Sequence, residues 1–128
     1  MKVKIIYTDD LKVGIGGYVK FPLFPLFGLG TPTIRLRKKY IEDEGILNHE
    51  LKHIEQYGKK WCHAQLYTWN KAYRYKCELE AYTEQIKAYG YNRLNQCDWV
   101  IDSLANKYNL NKKTDDIKVD IIKILNKI

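Results

Sequence analysis

The stretch TIRLRKKYIEDEGILNHELKHIEQYG (residues 33–58) contains the change of hydrophobic period on which the fold depends. In TIRLR, apolar side chains alternate with arginines, which predicts a strand with one buried face, and the charged face favours an edge position in a sheet. From about residue 42 the apolar residues recur at helical spacing, and Asp43 and Glu44 favour a helix N-terminus through the helix dipole. Gly58 is expected to follow the end of this helix.

Further strands are expected before this segment and further helices after it. Alternation in residues 3–7 predicts a first strand, and the Gly- and Pro-rich residues 13–32 predict a loop with a short strand near residues 17–21. Residues 58–76 fit either a short helix around residues 66–73 or an ordered aromatic loop. Helical spacing predicts three more helices, at residues 77–89, 93–108 and 117–128. We therefore expect an α+β fold, with a short N-terminal antiparallel sheet followed by a bundle of three to four helices.

Size and composition fit one packed domain. The chain has 128 residues, enough for a single domain spanning residues 1–128. Its hydrophobic fraction of 45% and aromatic fraction of 13% are typical of a globular protein and exclude a disordered one. The net charge of +7 fits an anionic partner such as nucleic acid, a cell-wall polymer or anionic lipid. Because no block of five like charges occurs, we favour lysines scattered over solvated faces instead.

The cysteines and the N-terminus point to a reducing compartment. Cys62, Cys77 and Cys97 form an odd set without short paired spacing, which argues against a disulfide framework and fits free thiols. The first residues contain no apolar run that resembles a signal peptide. No segment approaches the roughly 20 apolar residues that span a bilayer. We therefore expect a cytoplasmic protein without a membrane span.

The pentapeptide HELKH (residues 49–53) has the spacing of a metal site on a helix. Residues four apart project from one helix face, so His49 and His53 can bind one ion together. Two imidazoles and a carboxylate suit zinc and leave a fourth position for water. Glu50 lies beside the first histidine, where it can act as a general base. The pattern H-E-x-x-H on a helix is the signature of zinc metallopeptidases.

The third ligand has two candidates among the downstream residues, His63 and Glu78. The metzincin pattern is absent because its glycine and third-histidine positions hold Gln56 and Lys59. Glu80 lies two residues from Glu78 and therefore points to a different side of a helix, so only one of these two glutamates can face the ion.

The pair HELKH and CELEAY resembles the small gluzincin metallopeptidases, including minimal phage and bacterial members, over residues 33–89. The resemblance implies a minimal zincin-like domain, a Zn2+ cofactor and Glu78 as the third ligand. It also implies hydrolysis of a peptide or protein substrate lying along the TIRLR strand, and it leaves a cellular origin and a phage or mobile-element origin both open. Tyr82, four residues after Glu78, would orient a metal-binding histidine or pack in the core.

Several roles stay open at this point. The oxyanion donor is expected among tyrosines near the third ligand, with Tyr73 and Tyr75 as candidates, whereas His63 is expected to be an exposed loop residue. One alternative function is a SprT-like, DNA-associated metalloprotein in which His63 is the third ligand. Another is a non-catalytic binding protein on a zincin scaffold. A structural zinc site formed by His63 and the cysteines is less favoured than buried free thiols.

Overall fold

A small three-stranded sheet precedes five α-helices in the described part of the chain. The computed structural model describes residues 3–21, 31–60 and 62–128. The strands are β1 (Lys4–Tyr7), β2 (Gly17–Lys20) and β3 (Thr33–Leu36). The helices are α1 (Glu44–Lys59), α2 (His63–Trp69), α3 (Lys71–Tyr89), α4 (Asp98–Asn106) and α5 (Thr114–Lys127). Short 3-10 segments lie at Lys38–Tyr40 and Leu94–Cys97. This order confirms the α+β class.

The sheet is mixed and its order is β1-β3-β2. Strand β2 runs antiparallel to β3, as expected, but β1 runs parallel to β3, so the prediction of a wholly antiparallel sheet is wrong. The edge position predicted for TIRLR is also wrong, because β3 is the central strand. The arginines do not require an edge. Arg37 lies just beyond β3, and its guanidinium donates to the carbonyls of Ile15 and Lys12, both at 2.7 Å.

Helix α1 begins and ends close to its predicted limits. The Asp43 side chain accepts a hydrogen bond from the Ile46 amide at 3.1 Å, which caps the first turn. The helix continues through Gly58 to Lys59, so Gly58 is not the residue after its end. The residues before it form a 3-10 turn, which separates the strand period from the helix period.

The other helices differ from expectation mainly at their starts. Helix α3 begins at Lys71, earlier than the predicted residue 77, because the Asn70 side chain caps it by accepting from the Tyr73 amide. It ends before Gly90, which has φ +70° and takes the left-handed conformation that favours glycine. The predicted helix at residues 93–108 divides into a 3-10 turn and α4. The ambiguous segment contains α2, and residues 22–30 of the expected loop lie outside the described residues.

Helix α1 lies between the sheet and α3. Ile34 and Leu36 of β3 are fully buried and pack with Ile54 of α1 in one cluster. A second cluster joins α3, α4 and α5 through residues such as Ile86, Leu104 and Ile117. The polar face of α1 meets α3 between these two apolar clusters. Within the described residues, no helix combines the length and apolar character needed to cross a membrane.

Candidate metal centre

Three side chains from α1 and α3 converge on one point. His49 Nε2 lies 3.3 Å from His53 Nε2 and 3.4 Å from Glu78 Oε1, and His53 Nε2 lies 3.2 Å from Glu78 Oε2. The side chains of His49, His53 and Glu78 are 7%, 12% and 2% exposed. Among the described residues, these three form the group of histidines, cysteines and acids that is compact enough to hold a metal ion. We call it the His-His-Glu triangle.

The dimensions of the triangle fit zinc. A tetrahedral zinc ion with bonds of about 2.0–2.1 Å places its ligand atoms about 3.3–3.4 Å apart. The three measured separations, 3.2, 3.3 and 3.4 Å, lie close to this value. Oε1 of Glu78 is buried and accepts no hydrogen bond from the described residues, as expected for an oxygen that is shaped to bind an ion. Two imidazoles and a carboxylate are also a donor set that zinc prefers.

The structure distinguishes Glu78 from Glu80 as the candidate third ligand. Glu78 is 1% exposed and faces α1, whereas Glu80 is partly exposed and takes no part in the triangle. His63 also stays outside, because its Nδ1 is hydrogen-bonded to the Tyr73 hydroxyl at 2.8 Å. His63 is 3% exposed and lies in α2, so the expectation of an exposed loop histidine is wrong.

Gln56 fixes the orientation of the His53 ring. The Gln56 amide donates from Nε2 to the Cys77 carbonyl on α3 at 2.9 Å. Its Oε1 therefore faces His53 Nδ1, 3.0 Å away, and accepts a hydrogen bond from the N–H at that position. With the proton on Nδ1, the neutral ring presents a lone pair on Nε2 toward the triangle. The same amide ties α1 to α3 beside the metal ligands.

His49 is oriented by packing. Its ring lies edge-on to Tyr82, with centroids 4.5 Å apart, and its buried Nδ1 has no hydrogen-bond partner among the described residues. The Tyr82 hydroxyl bonds to the Tyr108 hydroxyl at 2.7 Å instead. Tyr82 thus contacts the candidate ligand His49 through its ring.

Charge holds the triangle together. Burial by itself would lower the pKa of His53, but the hydrogen bond to Glu78 and the charge of that carboxylate raise it to about 9. Burial would raise the pKa of Glu78, but the imidazoles of His49 and His53 beside its carboxylate lower it well below its usual range. The triangle is therefore a buried ion pair when His53 is protonated, and a metal ion bound there takes the place of that proton.

Glu50 differs from Glu78 in its position and in the direction of its pKa shift. It is 7% exposed and lines the cavities on both sides of the triangle. Burial raises its pKa, and the positive charges of His49 and His53 oppose this effect. A carboxyl group with a raised pKa holds a proton more readily than an exposed one, which suits a group that must take up a proton and release it again.

Two tyrosines that the sequence did not single out stand at the site. The Tyr67 hydroxyl donates to Glu78 Oε2, and Tyr108 lines both cavities. Tyr67 follows His63 by one helical turn on α2, a relation visible only once that segment is known to be a helix. The predicted donors bond elsewhere: Tyr73 to His63, and Tyr75 to Asp120 at 2.6 Å.

Arg74 connects the segments that carry these two tyrosines. It is buried on α3, and its guanidinium donates to the carbonyls of Tyr67 at 2.7 Å and Thr68 at 2.9 Å. It also donates to the carbonyls of Tyr108 at 2.9 Å and Asn109 at 3.1 Å. The end of α2 and the turn after α4 are therefore held against the helix that carries Glu78.

A cleft passes over the triangle. A cavity of about 280 Å³ lies on the side of His53, His63 and Tyr67, and a cavity of about 640 Å³ lies on the side of Tyr82. His49, Glu50 and Tyr108 line both, together with Gly17 and Tyr18 from β2. Strand β2, rather than β3, is thus the strand beside the site.

The chain matches no protein family, no curated protein and no solved structure. The relation to the gluzincins stays a prediction from its motifs. The cysteines do not contribute a second centre within the described residues: Cys62, Cys77 and Cys97 are free thiols, and none of them joins a metal-sized cluster there.

We expect one zinc ion per chain, bound through the His-His-Glu triangle. Replacing Glu78 with Gln removes the charged ligand, so Glu78→Gln should lose zinc after dialysis against a weak chelator, whereas Glu80→Gln should retain it. Elemental analysis of both variants and of the wild type measures this directly. Zinc lost from Glu80→Gln and kept by Glu78→Gln would show that the ligand is misassigned.

Gln56 should affect zinc affinity without being a ligand. Gln56→Leu removes the acceptor for His53 Nδ1, and loss of such an outer partner weakens metal binding about 10- to 100-fold. Competition with a chromophoric chelator gives the dissociation constant. Gln65→Leu, at an exposed position on α2, is the matched control. Equal affinities for the two variants would contradict a role for Gln56 in orienting His53.

Proposed function

We propose that this protein is a zinc-dependent peptidase in which His49, His53 and Glu78 hold the metal ion. The observation that carries the proposal is the triangle of separations between 3.2 and 3.4 Å, with a spare carboxylate, Glu50, at the same cleft. Two histidines and one glutamate would leave one of the four positions of a zinc ion without a protein ligand. Structural zinc sites are usually closed by four protein ligands, so this donor set favours catalysis.

Glu50 is the proton carrier in this proposal. A zinc ion bound there would supply Lewis-acid polarisation of the scissile carbonyl and would lower the pKa of a water molecule toward about 7. The Glu50 carboxylate accepts a proton from the attacking water and delivers it to the nitrogen of the leaving amine. Its burial supports this role because the raised pKa of Glu50 brings it closer to the pH at which both steps must occur.

The developing oxyanion needs a hydrogen-bond donor, and the paired hydroxyls of Tyr82 and Tyr108 are the best placed. Both residues line the larger cavity beside Glu50, and Tyr108 lines the smaller one as well. Burial raises the pKa of Tyr108, so its hydroxyl keeps its proton at neutral pH. We assign the donor to Tyr108 in place of Tyr73 and Tyr75, which line neither of the two cavities.

The substrate lies along β2 in this proposal. Within the described residues β2 pairs with β3 alone, which leaves its other edge free of strand partners. Gly17 and Tyr18 of this strand line both cavities. An extended peptide can add to such an edge through main-chain hydrogen bonds, with its side chains directed into pockets.

The alternative functions have less support. A SprT-like site would need His63 as a ligand, but His63 stands outside the triangle and is bonded to Tyr73. Nucleic-acid binding stays a prediction from the net charge of +7 alone. A non-catalytic scaffold would not require a buried carboxylate at Glu50. The cytoplasmic location and the phage or mobile-element origin also stay predictions from the sequence.

Glu50→Gln is the decisive variant for hydrolysis. Gln keeps the size of the side chain but cannot accept and return the proton, so cleavage of a quenched fluorescent protein substrate should fall at least ~10²-fold. Zinc content, measured on the same sample, should not change. Full activity in Glu50→Gln would rule out Glu50 as the base, and an inactive zinc-loaded wild type would contradict the peptidase proposal.

Tyr108→Phe tests the assigned oxyanion donor. Loss of one such donor lowers kcat about 10²- to 10³-fold, because the hydrogen bond forms fully only in the transition state. Steady-state kinetics should show the loss in kcat with a smaller change in KM. Tyr75→Phe, which removes the hydroxyl that bonds to Asp120, is the control. A larger loss of kcat in Tyr75→Phe would return the role to that residue.

A further inference from the structure

The larger cavity has a wall of aromatic side chains. Its volume is about 640 Å³, and its aromatic lining residues are Tyr18, Tyr40, Tyr82, Tyr89, Trp99 and Tyr108. Binding sites for drug-sized molecules span about 300–1,000 Å³, so this space exceeds what one small side chain fills. We call it the aromatic cavity.

Helix α4 presents one of its faces to the aromatic cavity. Trp99, Ser103 and Lys107 are spaced four residues apart, lie on one side of the helix, and all line the cavity. The Trp99 ring is 39% exposed and stands 5.9 Å from Tyr82 and 6.3 Å from Tyr89, between ring centroids. An exposed aromatic residue beside a buried ring, that of Tyr82, and a partly buried one, that of Tyr89, offers a surface for a further ring.

Lys107 gives the aromatic cavity a positive end. Among residues 3–21, 31–60 and 62–128, no carboxylate forms an ion pair with its ammonium group. Among the described residues that line the cavity, Glu50 is the one acidic residue and Lys107 is the one lysine or arginine. A carboxylate on a ligand would therefore meet an ammonium group there that has no competing partner.

The aromatic cavity adjoins the candidate metal centre, since His49 of the triangle lines it and Glu50 and Tyr108 line both cavities. We infer that it recognises a bulky aromatic residue of the peptide substrate next to the bond that is cleaved, and that Lys107 binds a carboxylate carried beside that residue. The carboxylate belongs either to an aspartate or glutamate side chain or to the C-terminus of the peptide. This inference rests on the proposed peptidase function.

Binding can be measured without turnover. The probe is zinc-loaded Glu50→Gln with a labelled heptapeptide that carries one Phe-Glu pair, in either order, in a glycine–alanine background. Replacing Phe with Ala should weaken binding ~2- to 10-fold, as expected for a lost aromatic contact. Replacing Glu with Gln, or amidating the C-terminus, should weaken it ~2- to 5-fold. Whichever change has this effect identifies the source of the carboxylate.

Two variants assign the contacts to α4. Trp99→Ala should reduce the preference for Phe over Ala, whereas Trp69→Ala, at a position 79% exposed and outside both cavities, should not. Lys107→Glu should reverse the preference for whichever carboxylate the binding experiment identifies, that of the Glu side chain over Gln or that of the free C-terminus over its amide. Lys118→Glu, which changes the net charge equally from an exposed position on α5, should leave it intact. Equal effects of Lys107→Glu and Lys118→Glu, or equal affinity for the Phe and Ala peptides, would overturn the inference.

Cleavage by the wild type separates this inference from the proposed function. Cleavage sites in a digested peptide library, read by mass spectrometry, should be enriched in aromatic residues with an adjacent carboxylate. Cleavage without this preference overturns the aromatic-acidic specificity and leaves the peptidase proposal standing. Selective binding of the peptide to Glu50→Gln without cleavage by the wild type overturns the peptidase proposal and leaves the aromatic-acidic recognition standing.

Discussion

The buried carboxylate of Glu78 constrains how α1 and α3 fit together. A charged group that is 1% exposed is strongly unfavourable unless other groups satisfy it, and here two imidazoles and the Tyr67 hydroxyl do so. These contacts fix the rotation and the register of α1 on α3. The Gln56 amide reinforces them through the Cys77 carbonyl. The candidate centre is therefore part of the packing between the two helices, which is more rigid than a site built on loops.

The negative charge of Glu78 can be balanced by a proton on His53 or by a metal ion. With His53 protonated, the cluster has complementary charges and short separations, so the same packing exists before a metal ion arrives. Such preorganisation lowers the reorganisation needed on binding. A ligand that binds the folded state and not the unfolded one also adds to stability. Binding of a metal ion at the triangle would thus be coupled to the packing of α1 on α3 through one carboxylate.

The sequence predicts those parts of the site that depend on local spacing. His49 and His53 share a face because they lie one turn apart, and Asp43 marks the start of α1 through its capping side chain. The choice of Glu78 over Glu80 depends on which face of α3 meets α1, a tertiary fact that spacing within α3 does not contain. The central position of β3 was missed for a similar reason. Arg37 reaches backbone carbonyls 22 and 25 residues away, so its charge does not mark an edge. Tyr108 comes to the site through a contact with Arg74 across 34 residues, which no short motif records.

Arg74 couples the local opening of two separate segments of the chain. Its guanidinium donates to four main-chain oxygens, two from the end of α2 and two from the turn after α4. If either segment moved away, several N–H donors of the buried Arg74 side chain would lose their acceptors. The free-energy cost of these unsatisfied donors disfavours the opening of one segment alone. Amide protons on both segments should then exchange with solvent in a single cooperative opening, together with the middle of α3, while the sheet keeps a separate protection pattern.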